Sequence, residues 1–563
     1  YQADTTLVPG GHISLRLIPV QGLPAAAQRS YYVGDASVYL LGKNGEAPDD
    51  SIMYKNLNIH YYKKLQVRPN MLYRWMNYQQ FVRSRQMRAS NRTRLYSQYR
   101  QEQVQEKLSQ LGIFSYMDMQ YAPRDTTAAC DTLDVTMQAS FAKPLDAELE
   151  LNVVTKSNDQ TGPGASFGVT RNNVFGGGES WNVKLKGSYE WQTGGGEKSS
   201  LMNSWEMGLS TSLTFPRVVF PHLGKREFDF PATTTFRLYI NQLNRAKYYK
   251  LLSFGGNATY DFQPTRTSRH SITPFKLTFN VLQHQSEDFK VLAQANPALY
   301  VSLRNQFIPA MEYTYTYDNA SVRRIKNPIW WQSTVTSAGN ITSLIYRAFG
   351  KPFNEKDKSL LGAPFAQFVK LNTELRHLWN LDKNNAIASR VAVGALFTYG
   401  NATVAPYSEQ FYVGGANSIR AFTVRSVGPG GYHPAEGKYS YLDQTGTFRF
   451  EANVEYRFRI FKSFWGATFL DAGNVWLLRK DRELLADGKE ARPDSQLRLK
   501  TFPKQIALGT GVGIRYDMDI LVFRLDFGIP LHLPYDTDRS GYYNVTGAFF
   551  KNLGIHFAIG YPF

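Results

Sequence analysis

Residues 180–191 read SWNVKLKGSYEW, and their alternation decides the fold. Trp181, Val183, Leu185, Gly187, Tyr189 and Trp191 are apolar or small, while Asn182, Lys184, Lys186, Ser188 and Glu190 stand between them. Side chains of a strand point to opposite faces with a period of two, so the spacing predicts a strand with one greasy and one charged face. A strand of a soluble sandwich alternates in the same way. The tryptophans at the two ends make the difference. At ~3.3 Å per residue and a tilt of ~40°, Trp181 to Trp191 rises roughly 25 Å, the height of a membrane barrel's apolar band between its aromatic girdles.

The same two-faced pattern runs from residue 144 to the C-terminus. PLDAELELNVV sets Leu145, Ala147, Leu149, Leu151 and Val153 against Asp146, Glu148, Glu150 and Asn152. FRFEANVEYRFRI sets Phe448, Phe450, Ala452, Val454, Tyr456, Phe458 and Ile460 against Arg449, Glu451, Asn453, Glu455, Arg457 and Arg459. DILVFRLDFGIP keeps Arg524 and Asp526 on its polar side, and GIHFAIGYPF aligns Ile555, Phe557, Ile559, Tyr561 and Phe563. Segments of this kind fall at 144–156, 163–171, 178–191, 200–215, 232–247, 248–262, 270–284, 308–318, 330–344, 363–379, 385–400, 446–461, 464–477, 504–517, 518–531 and 548–563. They make about sixteen antiparallel strands, an even number as in single-chain bacterial barrels. The fold class read from the chain is an all-β membrane barrel.

Composition excludes other classes. The chain has 563 residues and one cysteine, Cys130, so there is no intrachain disulfide framework and no cysteine-rich zinc site. Cys130 lies in a polar turn, DTTAACDTLD, and reads as incidental. No run reaches ~18 apolar residues, so no transmembrane helix is expected, and no basic leader precedes an apolar run at residue 1. A membrane chain of this kind enters as a barrel, its targeting segment removed or left out. The net charge of +18 alone does not choose between nucleic acid, an anionic membrane surface and a solvated exterior. The nine histidines show no metal-ligand spacing, and no serine sits in a nucleophile elbow, so no catalytic residue, metal site or cofactor is expected. The GGG runs at 176–178 and 194–196 lack a following helix or Lys-Ser/Thr and read as turns.

Before residue 144 the pattern changes. VRPNMLYRWMNYQQ and RTRLYSQYRQEQVQEKLSQLGIF carry apolar residues at helical spacing (Tyr96, Tyr99, Val104, Leu108, Leu111), and Gly112 stands where a helix C-cap glycine belongs. YYVGDASVYLLG, LNIHYYK, SYMDMQYA and LDVTMQAS read as strands. A small α+β module is therefore predicted over 30–142. Residues 1–29, with GHISLRLIPV, read as the end of an upstream copy, and 143–563 as the barrel.

One long loop stands out, YVGGANSIRAFTVRSVGPGGY at 412–432. Its glycines and Pro429 argue against a helix or central strand, which leaves Arg420 between apolar neighbours in a loop. A small βααββ module feeding a C-terminal barrel resembles the POTRA-plus-barrel plan of the BamA/TamA superfamily of outer-membrane assembly proteins. GGANSIRAF resembles that family's Gly-Gly and Val/Ile-Arg-Gly-Phe signature on a long loop folded back into the barrel. FLDAGNVW, 469–476, resembles its Phe-x-Asp-x-Gly-x-x-Trp strand, and IGYPF its C-terminal aromatic signal. Ala421 departs from the commoner glycine; it is small but disfavours positive φ.

The resemblance implies that loop 412–444 plugs the barrel, with Ile419, Arg420, Ala421 and Phe422 at its tip. A buried guanidinium needs partners, and Asp471 is the expected one, with Glu455 and Glu451 as a second layer. The bland alternative for Arg420 is a solvated lumen charge. The resemblance also implies a seam between the first strand, near Leu149, and the last. Gly560 weakens strand packing there and Pro562 cannot donate to a ladder, with Tyr561 and Phe563 beside them. The function it implies is insertion or export of outer-membrane and surface proteins. The implied partners are the lipid bilayer, unfolded clients and a long periplasmic TamB-like protein or other assembly subunits, with no nucleic acid. The compact plan leans toward a TamA-like member, with the N-terminal module in the periplasm. A passive pore or two-partner-secretion translocator is the alternative; an outer-membrane enzyme would need a rim Ser/His or Asp/His cluster that the sequence lacks. Arg83, Arg85, Arg88, Arg92 and Arg94 read as a solvated face before a headgroup site.

Overall fold

A computed structural model of the chain describes residues 2–4, 14–16, 29–42, 45–55, 57–76, 95–127, 130–155, 160–192, 204–220, 232–245, 249–287, 290, 305–320, 322, 325–356, 358–360, 362–402, 404–434, 444–480, 492–518, 521–539 and 541–563. The arginine run 83–94, the GGG run at 194–196 and part of loop 412–444 lie outside these. The chain divides into two compact units, Tyr1–Pro144 with Asn172–Gly178, and Leu145–Arg171 with Glu179–Phe563.

In the first unit, β1 (Gln2–Asp4) and β2 (Ser14–Arg16) form an antiparallel pair. A five-stranded sheet follows, made of β3 (Tyr32–Leu41), β4 (Asp50–Tyr54), β5 (Leu57–Tyr61), β6 (Phe114–Pro123) and β7 (Thr132–Phe141), in the order β4-β5-β3-β7-β6. Two helices, α1 (Pro69–Met76) and α2 (Gln98–Gln110), join β5 to β6. The alternation in β3 and β7 sends Val38, Leu40, Val135, Met137 and Ala139 into one core with Leu72, Val104 and Leu108 of the helices. Burying each large aliphatic side chain stabilises the unit by about 1.5–3 kcal/mol. Gly112 ends α2 at φ 63, a left-handed conformation that suits glycine. Two details correct the reading: DSIMY adds β4, an edge strand with Ile52 and Met53 exposed, and Tyr99 points to solvent, off the Val104–Leu108 stripe.

The second unit is one 16-stranded sheet. Its strands are β8 (Leu145–Thr155), β9 (Gln160–Asn172), β10 (Ser180–Gln192), β11 (Ser204–Phe215), β12 (Ala232–Arg245), β13 (Tyr249–Phe262), β14 (Ser268–Gln285), β15 (Gln306–Asp318) and β16 (Ile329–Ala338). After α3 (Asn340–Ala348) and the small hairpin β17 (Ser359–Leu360) and β18 (Ala363–Pro364) it continues. The remaining strands are β19 (Phe368–Asn380), β20 (Asn385–Thr398), β21 (Phe448–Phe461), β22 (Phe464–Trp476), β23 (Ala507–Asp517), β24 (Val522–His532) and β25 (Gly554–Ile559). Each strand neighbours the next of the sheet in sequence, an up-and-down sheet that confirms the all-β barrel class. No helix among the described residues is long and apolar enough to cross a membrane. Leu149, Leu185, Leu238, Phe275, Val512 and Phe557 all expose their side chains, as a lipid-facing belt requires.

The strand expected at 330–344 is corrected: it ends at Ala338, and Gly339 at φ 69 starts α3. The last strand is also shorter than 548–563, since Phe549–Asn552 is a 3-10 turn. Strands β8 and β25 stand at the two ends of the sheet order, and no ladder joins them among the described residues.

Candidate functional site

The chain between β20 and β21 closes its neck with a bridge between Phe411 and Gly446, then folds into a self-bonded knot. The Gly415 amide donates to the Phe422 carbonyl at 2.7 Å and that of Arg425 to Val413 at 3.0 Å. The Gly414 amide donates to Ser418 Oγ at 2.9 Å. Gly414 and Gly415 sit at φ 101 and 96, a turn that a side chain at either would strain. Val413, Ile419, Phe422 and Val427 are buried in one cluster with Phe411 of the neck and Phe368, Leu396 and Val475 of the wall. Apolar anchoring on both sides of Arg420 explains the wedged arginine: its neighbours seat the loop, and the guanidinium is carried into the interior.

Arg420 is completely buried. Its Nε and Nη2 donate to the two oxygens of Asp471 at 2.8 and 2.9 Å, and its own backbone amide adds a third bond to Asp471 at 3.1 Å. Nη1 donates to Glu455, and the guanidinium carbon lies 3.6 Å from the centre of the Phe469 ring. This two-pronged grip fixes the orientation of the loop as well as its position. Glu455 therefore meets Arg420 directly, alongside Asp471. Glu451 does not touch Arg420; it accepts from Ser418 Oγ at 2.7 Å and from Arg390 Nη1 at 3.1 Å, so it holds the loop one turn away. Ala421 needs no positive φ, and its methyl fills the space over Gly509: a Cβ at Gly509 would lie 2.4 Å from it.

The reading of single strands missed most of the surrounding network. Arg515 Nη2 donates to Glu455 at 3.0 Å, and its Nη1 lies 2.6 Å from Asp526. Arg524 Nη2 donates to Asn417 of the loop at 2.6 Å, and Asn453 Nδ2 donates both to the Ser418 carbonyl and to Asp471. Arg390, Arg420, Arg457, Arg515 and Arg524 share the carboxylates of Glu374, Glu451, Glu455, Asp471 and Asp526: Glu455 meets Arg420, Arg457 and Arg515, and Asp526 meets Arg515 and Arg524. Inward alternation on β20 to β24 was the available signal, but which inward residues meet across the lumen depends on register.

The C-terminal residues sit differently from the reading, which aligned Tyr561 and Phe563 with Ile555, Phe557 and Ile559. Gly560 adopts φ 87 after donating its amide to the Val522 carbonyl at 2.7 Å, and the chain leaves the sheet. Pro562 is buried, and the rings of Tyr561 and Phe563 stack at 4.2 and 5.8 Å from the guanidinium of Arg457, an inward-facing residue of β21. Left-handed glycine geometry turns the tail off the strand, and Arg457 provides a cationic face to receive its aromatic rings. Leu149 lies in the middle of β8 with its side chain exposed.

A sixteen-stranded sheet with a greasy outer face, a charged inner face and a loop clamped inside is an outer-membrane β-barrel of the assembly and translocation class. The description "Omp85 superfamily domain" matches residues 173–563, and the chain belongs to that superfamily. Its members reside in the bacterial outer membrane. Among solved structures, BamA from Haemophilus ducreyi lacking POTRA domains 1-3 is similar over 91% of this chain and 88% of its own, at 12% identity and a TM-score of 0.55. CdiB from Acinetobacter baumannii matches at 12% identity over 78% of this chain and 66% of its own, with a TM-score of 0.44. CdiB from Escherichia coli matches at 11% over 98% and 92%, with a TM-score of 0.42. Of these three, the BamA match has a TM-score above 0.5, and at that identity it bears on the fold alone.

Proposed function

We propose that this protein inserts or exports outer-membrane and surface proteins through the seam between β8 and β25. The observation that carries the reading is the mismatch of the two end strands: β8 has 11 residues and β25 only 6, with Gly560 turning the tail away. A six-residue strand cannot pair an eleven-residue one along its length. Unpaired backbone N–H and C=O groups at membrane depth cost several kcal/mol each, so the free part of β8 favours an incoming client strand. The Arg420–Asp471 clamp serves as a latch that stiffens the wall from β21 to β24 while the seam opens. In this reading the N-terminal unit is POTRA-like and periplasmic, and a long TamB-like protein or other assembly subunit meets the module there, as the TamA-like resemblance implies.

Depletion of the protein followed by outer-membrane proteomics tests the reading: many other barrels fall together if it is an assembly factor. Loss of a single secreted passenger with other barrels unchanged would instead identify a two-partner-secretion translocator. That second reading draws on the lumen beside β8 to β12, where the Lys184–Glu150 and Lys186–Glu206 pairs remain partly open to water.

A further inference from the structure

Helix α3 is built inside out. Thr342 and Ser343, both polar, are its buried residues. Ile341, Leu344, Ile345 and the following Phe349 expose 48, 55, 52 and 85% of their surface. The polar side is held by specific bonds. Lys358, itself buried, donates from Nζ to Ser343 Oγ at 3.0 Å, and Asn340 Nδ2 donates to Ser337 Oγ of β16 at 2.8 Å. Tyr399 OH donates to Asn340 Oδ1 at 2.8 Å. The apolar face is therefore turned outward by construction, and a helix free to roll would bury it.

Its place in the fold says what covers it. A single residue, Gly339, separates α3 from β16, so the helix begins at the rim of the sheet. Met311 of β15, which pairs with Ser337, and Val335, Leu371 and Phe397 of β16, β19 and β20 are the exposed apolar residues of the adjoining strand ends. The apolar face of α3 continues that lipid-facing belt. Arg347 in its last turn and Lys351 just beyond it are exposed, and Lys351 Nζ lies 5.7 Å from the Tyr346 ring centre, a basic and aromatic pairing suited to headgroup level. A helix with one apolar face and cations at its border lies in the membrane plane, its apolar face ~5–10 Å into the headgroup boundary.

We propose that α3 is an interfacial membrane anchor: Ile341, Leu344, Ile345 and Phe349 insert among the acyl chains of the leaflet at the end of the barrel opposite the C-terminus, and Arg347 and Lys351 meet lipid phosphates. The test uses the full chain carrying Cys130→Ser, with Ile345→Cys, Phe349→Cys or, as the control in the same loop, Glu355→Cys. Each is labelled with NBD and reconstituted in phosphatidylcholine and phosphatidylglycerol vesicles. Heat-modifiable gel mobility confirms that each variant is folded, and Phe349→Cys, at the most exposed position, stands in if Ile345→Cys fails to fold. At positions 345 and 349 NBD emission shifts to the blue and loses roughly half its intensity to lipids carrying a doxyl quencher near the headgroup, with less loss to a deep quencher. Glu355→Cys keeps water-like emission. Water-like, unquenched emission at position 349 of a folded protein overturns the proposal and marks the face as open to a protein partner.

Discussion

At the scale of single residues, Arg420 is the centre of the molecule's interior. It is held by three bonds to Asp471 and one to Glu455, and its side chain is fully buried. Breaking a buried ion pair by removing one partner costs on the order of 3–5 kcal/mol, because the remaining charge loses its main counter-charge. Arg420→Ala and Asp471→Ala are each expected to lower the denaturant midpoint of the folded barrel, and the double variant to cost far less than their sum. Additive effects in that double-mutant cycle contradict the contact. Arg420→Lys keeps the charge but cannot grip two oxygens in one plane, so it is expected to behave closer to the alanine variant than to the native protein. The strand that receives the loop is fitted as closely. A Cβ at Gly528 would stand 2.6 Å from the Arg420 carbonyl, so Gly528→Val is expected to unseat the loop and raise single-channel conductance. A closed, native-like channel in that variant contradicts the seating. Arg420 and Asp471 were legible because each stands in a recognisable local pattern. Asp526, Arg515, Arg390 and Asn453 were not, since alternation tells which face a residue takes and nothing about which residue it meets across the lumen.

At the scale of elements, the strands were the most legible part, because a two-residue period repeated over ten or more positions has few other readings. The departures come where that period stops. NITSLIYRA places Ile341, Leu344, Ile345 and Ala348 at helical spacing, but the preceding strand pattern was carried past Gly339 and absorbed it. DSIMY is a short edge strand with no alternation to detect. The tail IGYPF keeps its period in sequence and breaks it in space, because Gly560 changes the sign of φ. Gly560→Val forces a left-handed backbone on a β-branched residue, at roughly 1–2 kcal/mol. It is expected to release Tyr561 and Phe563 from Arg457, seen as faster removal of C-terminal residues from the folded barrel by carboxypeptidase. An unchanged rate argues that the tail is held by something other than this turn.

At the scale of the whole barrel, charge and burial are unevenly divided. The loop and its arginine–carboxylate network pack against β19 to β24, where inward residues such as Glu451, Glu455, Asp471, Arg515 and Asp526 are buried. On β8 the inward Asp146, Glu148 and Glu150 are exposed, as are the outward leucines. Buried charge thus gathers on β20 to β24 and exposed charge on β8, the arrangement the proposed seam calls for if only the edge moves. The seam account stands or falls on whether that edge must part. The direct measurement is client insertion into proteoliposomes by protein carrying Cys130→Ser and a cysteine at Leu149 of β8 paired in turn with one at Ile555, Phe557 or Ile559 of β25, the bridging pair being the one whose Cα atoms fall within ~4.4–6.8 Å. A verified cross-link is expected to stop insertion while the barrel stays folded, and reduction to restore it; insertion at the native rate with the bridge intact would contradict the seam.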